Sequence, residues 1–294
     1  MIIQPDDQGY QQPLPPGSPP VVELRLFMKN CEAGREEEVE AYLKRWPAFP
    51  EIKWDNIETT SLMLAARHGH DKVVKLLIDS GCPIHTKDAD GNTALFCALY
   101  GGRNGTVKLL LDNGADLSLR PRFGNTALMG ALHSGDEALV RFLIEKGEKA
   151  DDRDDYGRNA LHSLRWCPNS KVDFASLLVG NGADVNRAAQ NGDTPLAECI
   201  LSNNALTVRQ LLDLGADLVD GNKMPILHEA KRIGVTEEII KMLEDEPWRR
   251  EKAQRDAIEA ALEKIRARDA AIDASVHNGL TSPMKPMRLK LKLN

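Results

Sequence analysis

Seven histidines and five cysteines are the side chains of this 294-residue sequence best suited to nucleophilic or metal chemistry, and their spacing tests whether they perform it. His68 and His70 flank Gly69 and could share a metal ion, but no third ligand accompanies them at metal-site spacing. Cys31, Cys82, Cys97, Cys167 and Cys199 lie far apart, with no C-x-x-C pair and no histidine clustered beside them. An odd, scattered set fits neither a zinc site nor a disulfide frame, and suits a reducing compartment, the cytoplasm or nucleus. The phosphate loop G-x-x-x-x-G-K-[ST], the dinucleotide loop G-x-G-x-x-G, the nucleophile elbow G-x-S-x-G and the zinc helix H-E-x-x-H are all missing. The expectation is a non-enzymatic protein without cofactor or metal.

Composition narrows the class further. Lys plus Arg number 38 against 44 Asp plus Glu, a net charge of −6, and a net-acidic chain lacks the basic surface that phosphate neutralisation needs, so no nucleic-acid partner is expected. No stretch reaches the roughly 18 apolar residues of a membrane span. The first residues, MIIQPDDQGY, have neither the basic nor the apolar segment of a secretory leader. Aromatic residues make up only 5%, so whatever positions the few rings occupy carries information.

The elements that place these residues come from a repeat. The segments starting at Thr60, Thr93, Thr126 and Thr194 each run 21 residues to a glycine, Gly81, Gly114, Gly147 and Gly215, and the first three glycines are 33 residues apart. A fifth segment, Asn159 to Gly182, spans 23 and carries a two-residue insertion. In each, Thr suits a helix N-cap, and Leu and Ala follow on one face (Leu95, Ala98 and Leu99; Leu128, Ala131 and Leu132). A break near Gly69, Gly102 or Gly135 precedes a second helix, and the closing glycine stands where a left-handed C-cap is required. Polar stretches such as ADLSLRPRFGN then suit hairpin turns. One such unit cannot bury both of its faces, whereas a stack can.

The 33-residue step, the T-P-L-type starts, the Gly69–His70 pair, Val-Val-x-Leu-Leu in the second helix and Gly182–Asn186 (GADVN) together resemble the ankyrin-repeat family over residues about 24–245. The resemblance implies an all-α solenoid of about seven helix-turn-helix units with β-hairpin fingers. Residues 26–46 and 224–245 depart from the pattern as capping units do. Residues 1–20, with six of the sixteen prolines, read as a disordered tail, and 21–246 as the repeat domain. Residues 247–277 read as a further helix, with Ile258, Leu262, Ile265, Ile272 and Val276 in heptad-like rhythm and Asp269 interrupting it. This helix is expected to pack on the last repeat or to form a short coiled coil with a partner or itself. Residues 278–294 form a basic tail.

In this family His70, His162 and His228 occupy positions whose imidazoles bond the neighbouring unit, which implies structural roles. The family's partner-facing positions, finger tips and first-helix exposed sites, fall here on Arg67, His68, Asp90, Asn92, Tyr100, Arg122, Phe123, Asn125, His133, Tyr156, Arg158 and Trp166. The repeat pattern leaves those positions free, yet four of them are aromatic, with arginines beside them, the side chains that dominate interface hot spots. They are the expected protein-partner site on the concave face. Four linear signals stand apart. Lys171–Phe174 resembles a phosphatase docking peptide, but Phe174 falls on a core position. Asn186 resembles the asparagine hydroxylated in some ankyrin repeats, and Ser282-Pro283 resembles a phosphorylation site. Residues 285–293, alternating basic and apolar, could touch an anionic surface or a docking groove. The expected function is a protein–protein interaction scaffold or adaptor. The alternatives are a regulatory subunit of a kinase, phosphatase or ubiquitin ligase, and an accessory factor in a small-molecule pathway.

Overall fold

The computed structural model describes residues 17–48, 58–167 and 172–277, with side chains to 267, together with the backbone of 2–3 and 53–54. The disordered tail expected before residue 17, the basic tail after 277 and Ser282 lie outside them. Helices come in consecutive pairs: α1 (Val21–Ala33) with α2 (Glu36–Arg45), α3 (Ser61–His68) with α4 (Asp71–Asp79), α5 (Ala94–Tyr100) with α6 (Asn104–Asp112), and α7 (Ala127–Ser134) with α8 (Glu137–Glu145). A 3-10 helix (Ala160–Trp166) is paired with α9 (Phe174–Gly180), and α10 (Pro195–Leu201) with α11 (Ala205–Asp213). α12 (Ile226–Ile233) and α13 (Glu237–His277) complete the order. The chain divides into two compact units, Met1–Ile240 and Lys241–Asn294.

Within the first unit the repeat pattern becomes geometry. First helices stack on first helices through Leu62, Ala66, Leu95, Leu99, Leu128, Leu132 and Leu161, all buried, and second helices close the core with Val74, Leu77, Val107, Leu110, Val140 and Leu143. The side chains of Thr60, Thr126 and Thr194 accept from the amides of Met63, Met129 and Ala197, as N-caps do. The closing glycines Gly81, Gly114, Gly147, Gly182 and Gly215 all have φ between 87° and 96°, where a side chain would be strained. The amide beyond each then reaches back to the last turn, as Cys82 N–H does to Leu77.

Three local features differ from the sequence expectation. The first helix of the fifth unit is 3-10, not α. Cys167 precedes Pro168 and is extended (φ −70°, ψ 122°), because a residue before proline is driven out of the helical region, and the short segment tightens around Leu161 and Leu164. The fingers are hydrogen-bonded turns more than laddered strands. Strand pairing among the described residues is limited to two-residue segments at Ile2–Ile3, Lys53–Trp54 and Thr59–Thr60 and a Val219–Pro225 bridge. Finally, the second helix of the last unit and the helix expected from Pro247 are one element, α13, with Pro247 inside it.

Candidate functional site

Each finger is built on an aspartate where the sequence supplies one. Asp88 Oδ1 accepts from the amides of Asp90 and Asn92 (2.9 and 2.8 Å), and Asp154 Oδ1 from those of Tyr156 and Arg158 (both 2.9 Å). Asp220 repeats the arrangement with Asn222 and Met224 (2.9 and 2.7 Å). Pro121 occupies the equivalent place in the finger between those of Asp88 and Asp154, and has no carboxylate to offer. That finger closes as its neighbours do, Gly124 N–H donating to the Pro121 carbonyl (3.0 Å), but Phe123 stands at φ 76°. A phenylalanine in left-handed backbone is an outlier, because its Cβ crowds the following carbonyl. Its ring is nonetheless exposed.

Backbone bonds tie the fingers into a row. Arg122 N–H donates to Asp90 O (2.6 Å), Asp155 N–H to Phe123 O (3.0 Å), Gln190 N–H to Tyr156 O (2.9 Å) and Gly221 N–H to Gly192 O (2.7 Å). The side chains above them fall in two rows of rings. Phe123 and Tyr156 stack at 5.7 Å between centroids, with Arg122 over Phe123 (5.4 Å) and Arg158 over Tyr156 (5.0 Å). On the first helices, at the 33-residue step, the His133 ring meets Tyr100 edge-on at 5.5 Å and stacks on Trp166 at 6.4 Å. Arg165 lies 4.7 Å over Trp166, which is 55% exposed.

The partner-facing residues named from the sequence do different work. Phe123, Tyr156 and Trp166 are exposed rings, while Arg67, His68, Asp90 and Arg122 are also exposed. Arg67 Nη2 is 4.0 Å from Cys97 Sγ, and His68 Nε2 is 4.0 Å from a Glu32 carboxylate oxygen. Tyr100 is half-buried, with Asn125 Nδ2 donating to its hydroxyl (3.2 Å), and burial raises its pKa above the ordinary phenol value. His133 Nδ1 is bound to the Met129 carbonyl (2.9 Å). Asn92 donates to the Asp88 carboxylate (3.0 Å), and Arg158 pairs with buried Asp154 (2.7 Å), so both shape fingers. Arg122 has no acidic partner among the described residues.

Several contributors lay outside the sequence reading. Leu201 stands at the Tyr100–His133–Trp166 register one unit on and is exposed, a signal available from its offset of seven from Thr194. Glu198 is buried and accepts from Arg165 at 2.7 Å, which anchors the arginine over Trp166. Asp151 gathers Asn159 Nδ2 (3.0 Å), the Asp184 amide (3.0 Å) and Arg187 (2.6 Å). Burial alone would raise the Asp151 pKa, but those donors outweigh it and the pKa is lowered.

Two of the three histidines expected to join neighbouring units do so, while the third, His228, is exposed with no such bond among the described residues. His70 Nε2 bonds the Glu32 carbonyl (2.8 Å), and His162 Nε2 the Asp193 carbonyl (3.2 Å), each in a neighbouring unit. Burial lowers the His162 pKa. No disulfide forms among the five cysteines, and burial raises the thiols of Cys31, Cys97, Cys167 and Cys199, Cys97 and Cys167 to about 11, so these four stay protonated and poorly nucleophilic at neutral pH. Among the described residues no three His, Cys, Asp or Glu side chains converge on a metal position, and no helix is long and apolar enough to cross a membrane. Phe174 is buried in the core, out of reach of a docking groove. Asn186 is engaged by the loop of the next unit, its Oδ1 accepting from Asp217 N–H at 2.7 Å.

Stacked helix pairs with finger loops and a row of partner-type side chains define a repeat-solenoid interaction module. A model for ankyrin repeats (3 copies) matches residues 27–121 and again 103–188, over half of the sequence. The chain belongs to the ankyrin-repeat family. Among solved structures, the crystal structure of the human ASB11 ankyrin repeat domain is similar, with a TM-score of 0.59 and 22% identity, covering 74% of this chain and 96% of that one. This likeness supports the fold. No curated protein matches the sequence. Ankyrin repeats are generally protein–protein interaction modules, and the fold is typically non-enzymatic.

Proposed function

We propose that this protein is a non-enzymatic scaffold or adaptor that holds a protein partner against the two rows of rings. The observation that carries the reading is the placement of Phe123, Tyr156 and Trp166. Three of the chain's few aromatic residues stand exposed, each with an arginine over it, at positions the repeat does not need for folding. Phe123 does so on strained backbone that a glycine would occupy without cost. Rigid rings of this kind bury large area with little entropy lost, and a preformed stack spares the partner site an ordering cost. A protein partner fits this surface better than a small molecule, because the rings line an open face and not an enclosed cleft. Five scattered cysteines with no disulfide among them support a reducing compartment, cytoplasm or nucleus.

The test is affinity capture with the full chain, read by mass spectrometry, for wild type and for Tyr156→Ala with Trp166→Ala. Loss of the same captured proteins by at least about tenfold is expected, given the ~2 kcal/mol that a central aromatic anchor contributes. Unchanged capture would sink the reading. The partner's identity then separates a scaffold from a regulatory subunit of a kinase, phosphatase or ubiquitin ligase.

A further inference from the structure

Beyond Trp166 the row of first-helix positions continues at Leu201, and there the surface opens into a cavity of about 240 Å³ between α10 and α12. Its wall is apolar. Ala197, Ile200 and Leu201 of α10 line it together with Met224 and Ile226, and Leu201 and Met224 are 44% and 55% exposed. Its polar lining is acidic. Asp193, Asp220 and Glu229 contribute carboxylates, and His228 is the one lining group among the described residues that can carry a positive charge. Arg232 holds Glu229, donating to its Oε1 and, at 2.8 Å, to its Oε2. Asp193 Oδ2 accepts from Asn191 Nδ2 (2.6 Å), and Asp220 Oδ1 from the amides of Asn222 and Met224. Asp193 Oδ1 and Asp220 Oδ2 are left without a donor among the described residues, and neither carboxylate has a cation beside it. Burial raises the Asp193 pKa against the Asn191 bond, and the charges of Glu198 and Asp220 raise it further.

The preceding step of the stack shows what such carboxylates take. Glu198 stands four residues past the cap Thr194, and Glu229 four past the cap Pro225. Glu198 is bound by the chain's own Arg165 (2.7 Å), which stands six past the cap Asn159. Six past Thr194 the chain has Ile200, which is buried, so it brings no guanidinium of its own to the next step. An apolar wall under carboxylates that lack a cation is complementary to a long apolar stem with a cationic head. Arginine suits it better than lysine, because its guanidinium is weakly hydrated and has donors enough for two carboxylates at once. The cavity is smaller than the usual cleft for a small molecule and has room for one such side chain. We propose that the cavity between α10 and α12 takes an arginine side chain of the protein partner. The proposal rests on the reading of this chain as a partner-binding scaffold, and it names a contact that the ring rows do not supply.

Random peptides displayed on phage and selected on the full chain test it. The selected peptides should share an arginine, and the most enriched one, made synthetically, is titrated by calorimetry. Asp193→Asn with Asp220→Asn, which keeps oxygens for the loop bonds, should weaken binding by about tenfold or more, and so should glutamine in place of the peptide's arginine. Changing both sides should cost little more than either change alone. Ala197→Arg, which fills the cavity with the chain's own guanidinium, should weaken the same peptide, and thermal unfolding checks that both variants fold. Tyr156→Ala with Trp166→Ala is measured beside them. Loss there alone supports the ring rows and overturns the cavity, while loss at the cavity alone does the reverse. No selected peptide, peptides without a shared arginine, or an arginine whose contribution is untouched by Asp193→Asn with Asp220→Asn overturns the proposal.

Discussion

Phe123 holds an exposed ring on strained backbone. Pro121 supplies neither the carboxylate nor the amide N–H that Asp88 and Asp154 give their fingers, and the Phe123 ring is held out on left-handed backbone. Such backbone costs about 1–2 kcal/mol for a residue with a Cβ, whereas asparagine adopts it more readily. An aromatic pair contributes about 0.5–1.5 kcal/mol. In Phe123→Asn, relief and loss therefore nearly cancel, and chemical denaturation should find stability within about 0.5 kcal/mol of wild type. Tyr156→Ala loses the stack with no relief and should fall by about 1 kcal/mol. His162 supplies the pH dependence at this scale. Its folded pKa lies below its unfolded value because burial penalises the imidazolium. Between those two values the unfolded chain holds the proton and the folded chain does not, so stability falls as pH drops below about 6.5. Denaturation midpoints for wild type and His162→Gln should diverge in slope in that window and run parallel above pH 7.

At the scale of the element, the repeated threonines look alike in sequence but differ in their bonds. Thr126 caps α7 by accepting from Met129 N–H at 3.2 Å. Thr93, in the same register ahead of α5, is buried with its hydroxyl unpartnered. Thr126→Ala should thus cost about 1 kcal/mol. Thr93→Val removes an unpaired hydroxyl while keeping the shape and should change stability by less than about 0.5 kcal/mol, or raise it. Thermal unfolding of the two variants side by side checks the contrast. The fifth unit makes a related point: the two-residue insertion was readable as a longer span, and Pro168 accounts for the extended Cys167 that ends the helix, but the 3-10 form of Ala160–Trp166 was not readable.

For the repeat stack as a whole, the finger row is the part that links units by backbone. The amides of Arg122, Asp155, Gln190 and Gly221 sit in surface loops, yet each donates to the finger before it. Hydrogen exchange should find these four protected together, opening only when the stack opens, while the exposed amide of Ala89 exchanges at the rate of a free loop. Exchange at all four as fast as at Ala89 would show fingers that move independently. The fold itself was legible because each unit repeats the same local demands, a cap, an apolar face and a left-handed glycine, and the 33-residue step puts those faces in register. The same register named the finger and first-helix positions, so Phe123, Tyr156 and Trp166 could be placed on one face from the sequence. Which of the named residues are spent inside the stack was decided only by tertiary contact. Tyr100 is half-buried under Asn125, Arg158 is held by Asp154, and Glu198, an ordinary helix residue in the sequence, is buried to anchor Arg165. Local sequence sets φ, ψ and the apolar period, which are properties of a few neighbouring residues. Burial and pairing depend on what the next unit brings alongside, some 33 residues away, and only the assembled stack specifies that.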